Sequence, residues 1–183
     1  MKMAKKLLAL VLTGVMAMSV LTGCGSTASR QATGKLESML KEANPKATVA
    51  DGGEALAIKA IEVATTDDGK FEINAKSNIK TALKEGNNDK YVWCACFEAA
   101  GKNKTDKAQA IADEILTKKT DGTVTINYYN AVNYLYVKIP GKYNIKAGDE
   151  FELSMKEFTV TNDDGTTTDW IMAVVTCKAV ASK

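Results

Sequence analysis

The chain has 183 residues, of which 45% are hydrophobic and 25% are charged, a balance typical of a globular protein that buries a core. Histidine is absent, which excludes the commonest general base and the commonest zinc ligand from any catalytic or metal site. The formal net charge of +2 is too small to indicate a nucleic-acid-binding surface.

The first 24 residues carry the pattern of a bacterial secretion signal. Lysines at positions 2, 5 and 6 precede an uncharged apolar run over residues 7–20, which is too short to span a bilayer comfortably. The run ends in Leu21-Thr22-Gly23-Cys24, which resembles the lipobox of bacterial prelipoproteins. This resemblance covers residues 1–24 only. It implies that the Cys24 thiol receives diacylglycerol, that a peptidase cuts before Cys24, and that acyl chains such as palmitate anchor the protein to the membrane.

Three segments follow from this interpretation. Residues 1–23 form the signal peptide, and residues 24–34 form the lipidated cysteine and a flexible tether, because Gly25–Gly34 is small and polar. Residues 35–183 form a single globular domain. Removing the first 23 residues leaves 160, with 21 basic and 22 acidic side chains. Membrane attachment is therefore assigned to Cys24 rather than to surface charge.

Helical periodicity dominates the first half of the mature chain. Apolar residues recur at helical spacing over residues 36–43 and 75–83, and these two predicted helices end at Asn44-Pro45 and Gly86. Residues 54–64 fit a helix through Ala57, Ile61 and Ala64, or a strand that enters a turn at residues 67–69. We favour the helix and leave the strand open.

Residues 90–99 form the best predicted strand. Tyr91, Trp93, Ala95 and Phe97 share one face, and Val92, Cys94 and Cys96 share the other. Because both faces are apolar, the strand is expected to be central in its sheet and covered on both sides. A helix is predicted after it from the apolar stripe over residues 108–116, with Thr105 or Asp106 as its N-cap.

Strand patterns occupy the rest of the chain. Residues 123–127 and 132–139 predict two strands before the Pro140-Gly141 turn, and residues 151–160 predict a third. The apolar positions change parity after Met155, which predicts a β-bulge near Lys156-Glu157. A hairpin turn at residues 162–165 leads into a return strand over 168–180. The predicted class is α+β: N-terminal helices followed by a mainly antiparallel sheet with one packed amphipathic helix.

Three cysteines of the predicted domain are candidate functional residues: Cys94, Cys96 and Cys177. Buried free thiols are one interpretation. A disulfide from Cys94 or Cys96 to Cys177 is a second, if the two strands adjoin, and redox or metal chemistry is a third. A bond between Cys94 and Cys96 would require the strand to bend.

Four tyrosines are candidate ligand-facing aromatics: Tyr128, Tyr129, Tyr134 and Tyr136. On the predicted strand over 132–139, Tyr134 and Tyr136 share a face with Val132. Such a face can stack on sugar rings or on a protein partner. Ordinary cross-strand packing with the hydroxyls toward water explains the same pattern.

No pattern indicates a metal or a cofactor. The Asn162–Gly165 loop with Asp169 resembles a calcium loop, but Ala173 stands where an EF-hand needs glutamate. Phosphate loops and nucleophile elbows are absent from the sequence. We therefore expect a lipid-anchored, extracytoplasmic binding or structural module, non-enzymatic, with an envelope protein or glycan as partner and no nucleic acid. The alternative is an exported enzyme or thiol-dependent accessory factor that uses Cys94, Cys96 or Cys177.

Overall fold

The computed structural model describes residues 25–67, 69–72, 76–162 and 164–182, so Cys24 and the predicted signal lie outside the described residues. The described helices are α1 (Gly25–Leu40), α2 (Ala55–Ala64), α3 (Lys76–Lys84) and α4 (Lys104–Ile115). The described strands are β1 (Thr48–Asp51), β2 (Lys90–Glu98), β3 (Leu116–Lys118), β4 (Val124–Ile126), β5 (Ile145–Thr161) and β6 (Thr167–Ala181).

The architecture confirms the predicted α+β class. Four strands form a mixed sheet in the order β1-β5-β6-β2, and β3 pairs with β4 in a separate two-stranded sheet. Strand β1, which the sequence analysis did not predict, runs parallel to β5, and the other pairs of the main sheet are antiparallel. Strand β2 lies at an edge of the sheet, so its predicted central position is wrong.

Helices cover both faces of the main sheet, which explains why β2 is apolar on both sides despite its edge position. On one face Trp93 and Phe151 pack in a core with α1 and α4. On the other face Val92 and Val174 pack in a second core with α2 and α3. The free edge of β2 is covered by the chain after β4, where the Val132 N–H donates to the Val92 carbonyl at 2.7 Å.

The predicted β-bulge at Lys156-Glu157 is wrong. The register of β5 against β6 is continuous from Phe151 to Thr161, and the irregularity lies between Ala147 and Phe151. The apolar parity changes because β5 buries a different face along each part of its length. Phe151 lies in the core under α1 and α4, whereas Phe158 lies on the opposite face, 4.9 Å from the ring of Phe71.

Helix α1 begins at Gly25, inside the segment predicted to be a flexible tether. Ala32, Leu36 and Leu40 are fully buried at a spacing of four residues, and they pack in the core that α4 shares. Packing against α4 thus buries one face of α1, although the composition of the predicted tether alone indicates solvent exposure. The described part of the predicted tether is helical.

Helix α1 also fixes the direction in which the chain enters the domain. Near its C-terminal end, the Asn44 amide donates to the Gly148 carbonyl at 3.2 Å, at the start of β5. Two turns earlier, Glu37 accepts from the Val49 N–H at 3.1 Å, farther along the sheet. Helix α1 therefore runs antiparallel to β1 and β5, and Gly25 lies toward the β5–β6 hairpin.

The other predicted helices agree with the structure, with one correction. Residues 54–64 form helix α2 rather than the alternative strand, and α3 ends before Gly86, whose φ is +78°. Helix α4 is capped by Asn103 instead of Thr105 or Asp106. The Asn103 side chain accepts from the backbone N–H groups of Thr105 and Asp106, and Asp106 accepts from the Asn103 N–H, which completes a capping box.

Candidate functional site

The chain between β4 and β5 carries the four predicted aromatic residues, but the strand predicted over residues 132–139 is wrong. The segment contains two short 3₁₀ helices, Tyr128–Asn130 and Tyr134–Tyr136. Between them the buried side chain of Asn133 accepts from the Val92 N–H at 3.0 Å and donates to the Lys90 carbonyl at 2.7 Å. These bonds take the place of a neighbouring strand along β2 and hold the segment in a compact, turned form.

Ring contacts join four of the tyrosines in two pairs at this end of the sheet, near the start of β5. Tyr91 of β2 lies 4.8 Å from Tyr128, and Tyr129 lies 4.9 Å from Tyr134, measured between ring centroids. The structure therefore pairs Tyr128, Tyr129 and Tyr134 with other tyrosines through turns rather than along one strand face, and it places Tyr136 against lysines of α3. It also adds Tyr91 and Tyr143, which the sequence analysis did not select.

Tyr91 and Tyr128 form a buried or half-buried inner layer. The Tyr91 hydroxyl donates to the Ile145 carbonyl at 3.4 Å, and the Tyr128 hydroxyl accepts from the Ala147 N–H at 3.1 Å. Burial raises the pKa of Tyr91 to about 12 and also raises the pKa of Tyr128. Both rings are held by the start of β5 and support the layer above them.

The outer layer is exposed to an unusual degree for large apolar side chains. The exposed fractions are 99% for Tyr143, 82% for Tyr129, 70% for Leu135 and 39% for Tyr136. Tyr134 is half-buried beside Tyr129, whose hydroxyl raises the pKa of Tyr134. We call Tyr129, Tyr134, Leu135, Tyr136 and Tyr143 the tyrosine surface. Contiguous exposed groups of this kind mark interaction sites on soluble domains.

An open groove of about 540 Å³ adjoins the tyrosine surface, which contributes Tyr134, Leu135 and Tyr143 to its lining. Its lining contains no charged side chain and consists of Tyr91, Tyr134, Leu135, Val137, Tyr143, Asn144, Ile145 and Ser182. Aromatic faces can stack on a ring, while the Asn144 amide and the Ser182 hydroxyl can donate and accept hydrogen bonds. The groove is therefore equipped to bind a ligand that combines apolar faces with hydroxyl groups.

Lysines of α3 flank the tyrosine surface. The Lys84 ammonium lies 3.4 Å from the centroid of the Tyr136 ring, and the Lys80 ammonium lies 5.8 Å from it. Both distances place a cation over the negative face of an aromatic ring. The surface thus combines aromatic rings with positive charge contributed by a separate helix.

The three cysteines are buried or half-buried thiols on opposite faces of the sheet. Cys94 and Cys96 lie with the core under α2 and α3, whereas Cys177 lies with the core under α1 and α4. Strands β2 and β6 do adjoin, but the sheet itself separates Cys177 from the other two. This geometry opposes the alternative of a cross-strand disulfide.

Burial also suppresses thiol chemistry. It raises the pKa of Cys94, Cys96 and Cys177 to about 12 each, so that all three are protonated at neutral pH. Cys94 lies 3.4 Å from the Met172 sulfur in the apolar interior. Within the residues that the structure describes, no three His, Cys, Asp or Glu side chains come together as a metal site.

Two carboxylates of the acidic hairpin considered for calcium, those of Asp164 and Asp169, accept hydrogen bonds from within the hairpin. Asp164 accepts from the Thr166 N–H at 3.0 Å, and Asp169 accepts from the Thr159 hydroxyl at 2.7 Å. The hydrogen bonds from Thr166 lower the pKa of Asp164. These contacts stabilise the β5–β6 turn.

Comparison with protein-family models, with curated proteins and with solved structures finds no match. A helix long and apolar enough to cross a bilayer is not found among the described residues.

Proposed function

We propose that the protein is a lipid-anchored, non-enzymatic binding module on the extracytoplasmic face of a bacterial membrane, and that the tyrosine surface binds its partner in the cell envelope. The observation that carries the binding role is the exposure of Tyr143 and Tyr129, at 99% and 82%, beside a groove without charged residues. Leaving such rings in water has a free-energy cost that burial against a partner would remove.

The anchor rests on the lipobox-like segment that ends at Cys24. Acyl chains on this cysteine would each contribute about 0.8 kcal/mol of membrane affinity per buried CH₂ group. Because α1 begins at Gly25 and runs antiparallel to β5, the anchor would lie toward the β5–β6 hairpin. The tyrosine surface lies at the start of β5, so it would face away from the membrane and toward the envelope.

Burial of the thiols opposes the alternative of an exported enzyme or thiol-dependent factor. Such chemistry needs a thiolate or another activated nucleophile in a cleft. Cys94, Cys96 and Cys177 are protonated at neutral pH, and the groove lining offers no carboxylate or amine to act as a general base. Binding fits these residues better than catalysis.

The anchor is tested by mass spectrometry and fractionation of the protein produced in a bacterium. We expect a mature N-terminus at Cys24 with diacylglycerol attached, and we expect the Cys24→Ser variant to leave the membrane fraction. An intact leader, or a mature protein without fatty acid, would contradict the anchor and leave the binding surface to be judged separately.

The binding role is tested with envelopes isolated from cells that lack the gene. We expect the Tyr129→Ala/Tyr143→Ala double variant to lose about tenfold or more in affinity for these envelopes, because two stacking rings are removed. The control is Ile58→Ala, which removes another exposed apolar side chain on α2. Unchanged envelope binding by the double variant, at an unchanged unfolding midpoint, would contradict the proposal.

A further inference from the structure

The segment that forms the tyrosine surface has an unusual charge pattern. Residues 122–148 contain five of the six tyrosines of the chain and three lysines, Lys138, Lys142 and Lys146, but no aspartate or glutamate. The mature chain as a whole has nearly equal numbers of acidic and basic residues. Within this segment the charge of the three lysines is therefore not balanced by acidic side chains.

Tertiary structure adds two more cations to this region. Lys80 and Lys84 of α3 lie at the Tyr136 ring, and Lys138 and Lys142 are exposed beside the groove. None of the ion pairs in the described part of the chain engages these four lysines. Acidic residues border the region in sequence at Glu85, Asp89, Asp121, Asp149 and Glu150, but no described ion pair joins any of them to these four lysines, whose ammonium groups are therefore available to an anionic partner.

We propose that the tyrosine surface binds an acidic polysaccharide, an inference that rests on the proposed function. The rings of Tyr129, Tyr134 and Tyr143 would stack on sugar faces, and Asn144 and Ser182 would bond sugar hydroxyls. The ammonium groups of Lys84 and Lys142 would pair with the acidic groups of the polymer, whether these are carboxylates or phosphodiesters.

Two other anionic partners fit the structure less well. A membrane surface would have to meet the tyrosine surface at the start of β5, whereas α1 places the anchored end toward the β5–β6 hairpin. A nucleic acid also combines stacking bases with negative charge, but the proposed anchor places the domain outside the cytosol. An acidic glycan of the envelope satisfies both the surface chemistry and the orientation.

The experiment measures binding of the full-length lipidated protein, in detergent micelles, to immobilised polymers. The acidic probes are polygalacturonate for carboxylates and phosphomannan for phosphodiesters, and the comparison probes are neutral dextran and poly(dT). We expect at least one acidic glycan to bind about tenfold or more tightly than dextran, and we expect added salt to weaken that binding.

Variants separate charge from stacking. Lys84→Gln/Lys142→Gln is expected to weaken binding of the acidic glycan about tenfold, because two charge pairs are lost, and to leave dextran binding unchanged. The control is Lys102→Gln, an exposed lysine after β2 at the other end of the sheet. Tyr143→Ala is expected to weaken binding of both kinds of glycan.

Four results would overturn the inference. If dextran binds as tightly as the acidic glycans, or if the double lysine variant has no effect, the surface does not recognise the charge of the glycan. Binding of poly(dT) as tight as that of the acidic glycans would show a general attraction to polyanions. No binding to either acidic glycan would remove the ligand class. The proposed function survives each result if the Tyr129→Ala/Tyr143→Ala variant still loses envelope binding.

Discussion

The side-chain carbonyl of Asn133 accepts a hydrogen bond from the backbone N–H of Val92 at 3.0 Å. The amide of the same side chain donates to the carbonyls of Lys90 and Asn87, at 2.7 and 3.1 Å. One fully buried residue thus satisfies three backbone groups at the edge of the sheet. It also positions the tyrosine surface, whose 3₁₀ helices lie on either side of it along the chain.

Replacing Asn133 with alanine should destabilise the domain strongly. The Asn133→Ala change leaves the Val92 N–H and the Lys90 carbonyl without their partner, whereas the Asn87 carbonyl still accepts from the Lys90 N–H at 3.2 Å. We expect it to lower the free energy of unfolding by about 2–4 kcal/mol. Chemical denaturation of the variant and the wild type measures this difference. Asn130→Ala, at an exposed neighbouring position, is the control and should change stability by less than about 0.5 kcal/mol. Equal effects of the two changes would show that the Asn133 bonds are not structural.

The N-terminus of helix α2 depends on a residue from a distant strand. Its N-cap residue Glu54 makes no side-chain capping bond, and the Ala57 N–H instead donates to the buried hydroxyl of Ser154 at 3.1 Å. We expect Ser154→Ala to lower the free energy of unfolding by about 1 kcal/mol, as for the loss of a local cap. Ser38→Ala, an exposed serine in α1, should have no such effect, and an equal loss in both variants would refute the capping role.

A substitution at Gly34 distinguishes a helix from a flexible tether in this segment. Gly34 lies within α1, is exposed, and has no atom within 4 Å of the position that a Cβ would occupy. Gly34→Ala should therefore raise the free energy of unfolding by about 0.5–1 kcal/mol, because alanine favours a helix. In a flexible tether the same change would leave the unfolding midpoint unmoved. Gly101→Ala is the contrasting variant and should destabilise, because Gly101 has φ +70°.

The cysteines should be unreactive in the native protein. Since the pKa of Cys94, Cys96 and Cys177 is about 12, thiolates are scarce at pH 8, and an aromatic disulfide reagent should label these residues only after denaturation. Peptide mapping after labelling identifies each site. Rapid labelling of Cys94 or Cys96 in the native state would contradict this prediction and support the alternative function as a thiol-dependent factor.

The same pKa shifts predict how stability depends on pH. Burial raises the thiol pKa above the value near 9 expected for the unfolded chain, so the native state holds protons that the unfolded state releases. The stabilisation that comes from the protonated thiols should therefore be fully present below about pH 8. The free energy of unfolding should decrease as the pH rises from about 9 toward 12. Denaturant unfolding at pH 7.5 and pH 10 measures the trend. A rise in stability across this interval would contradict the sign.

Much of the secondary structure can be predicted from the sequence. The helical spacing over residues 36–43, 54–64 and 75–83 agrees with described helices, and the alternation over 90–99 agrees with β2. These patterns work because a helix or a strand repeats its environment along a few neighbouring residues. The β5–β6 hairpin is predictable for the same reason, since its turn and its alternating strands are local.

The candidate site can be predicted only in part from the sequence. The tyrosines at 128, 129, 134 and 136 are evident from the sequence, but the strand predicted for 132–139 placed Tyr134 and Tyr136 wrongly. Its alternating pattern is overridden by the Asn133 side chain, which bonds to a strand 41 residues earlier. The absence of acidic residues over 122–148 is a sequence signal that marks the whole surface, including Tyr143.

By itself the sequence determined the class of the fold, most of the helices, the central hairpin and the grouping of tyrosines in one acid-free segment. Only the tertiary structure decided that β2 lies at an edge, that Cys177 faces away from Cys94, and that α1 extends through the predicted tether. The reason is physical. Periodicity reports whether a residue is buried, whereas pairing, facing and packing depend on contacts between segments far apart in the chain.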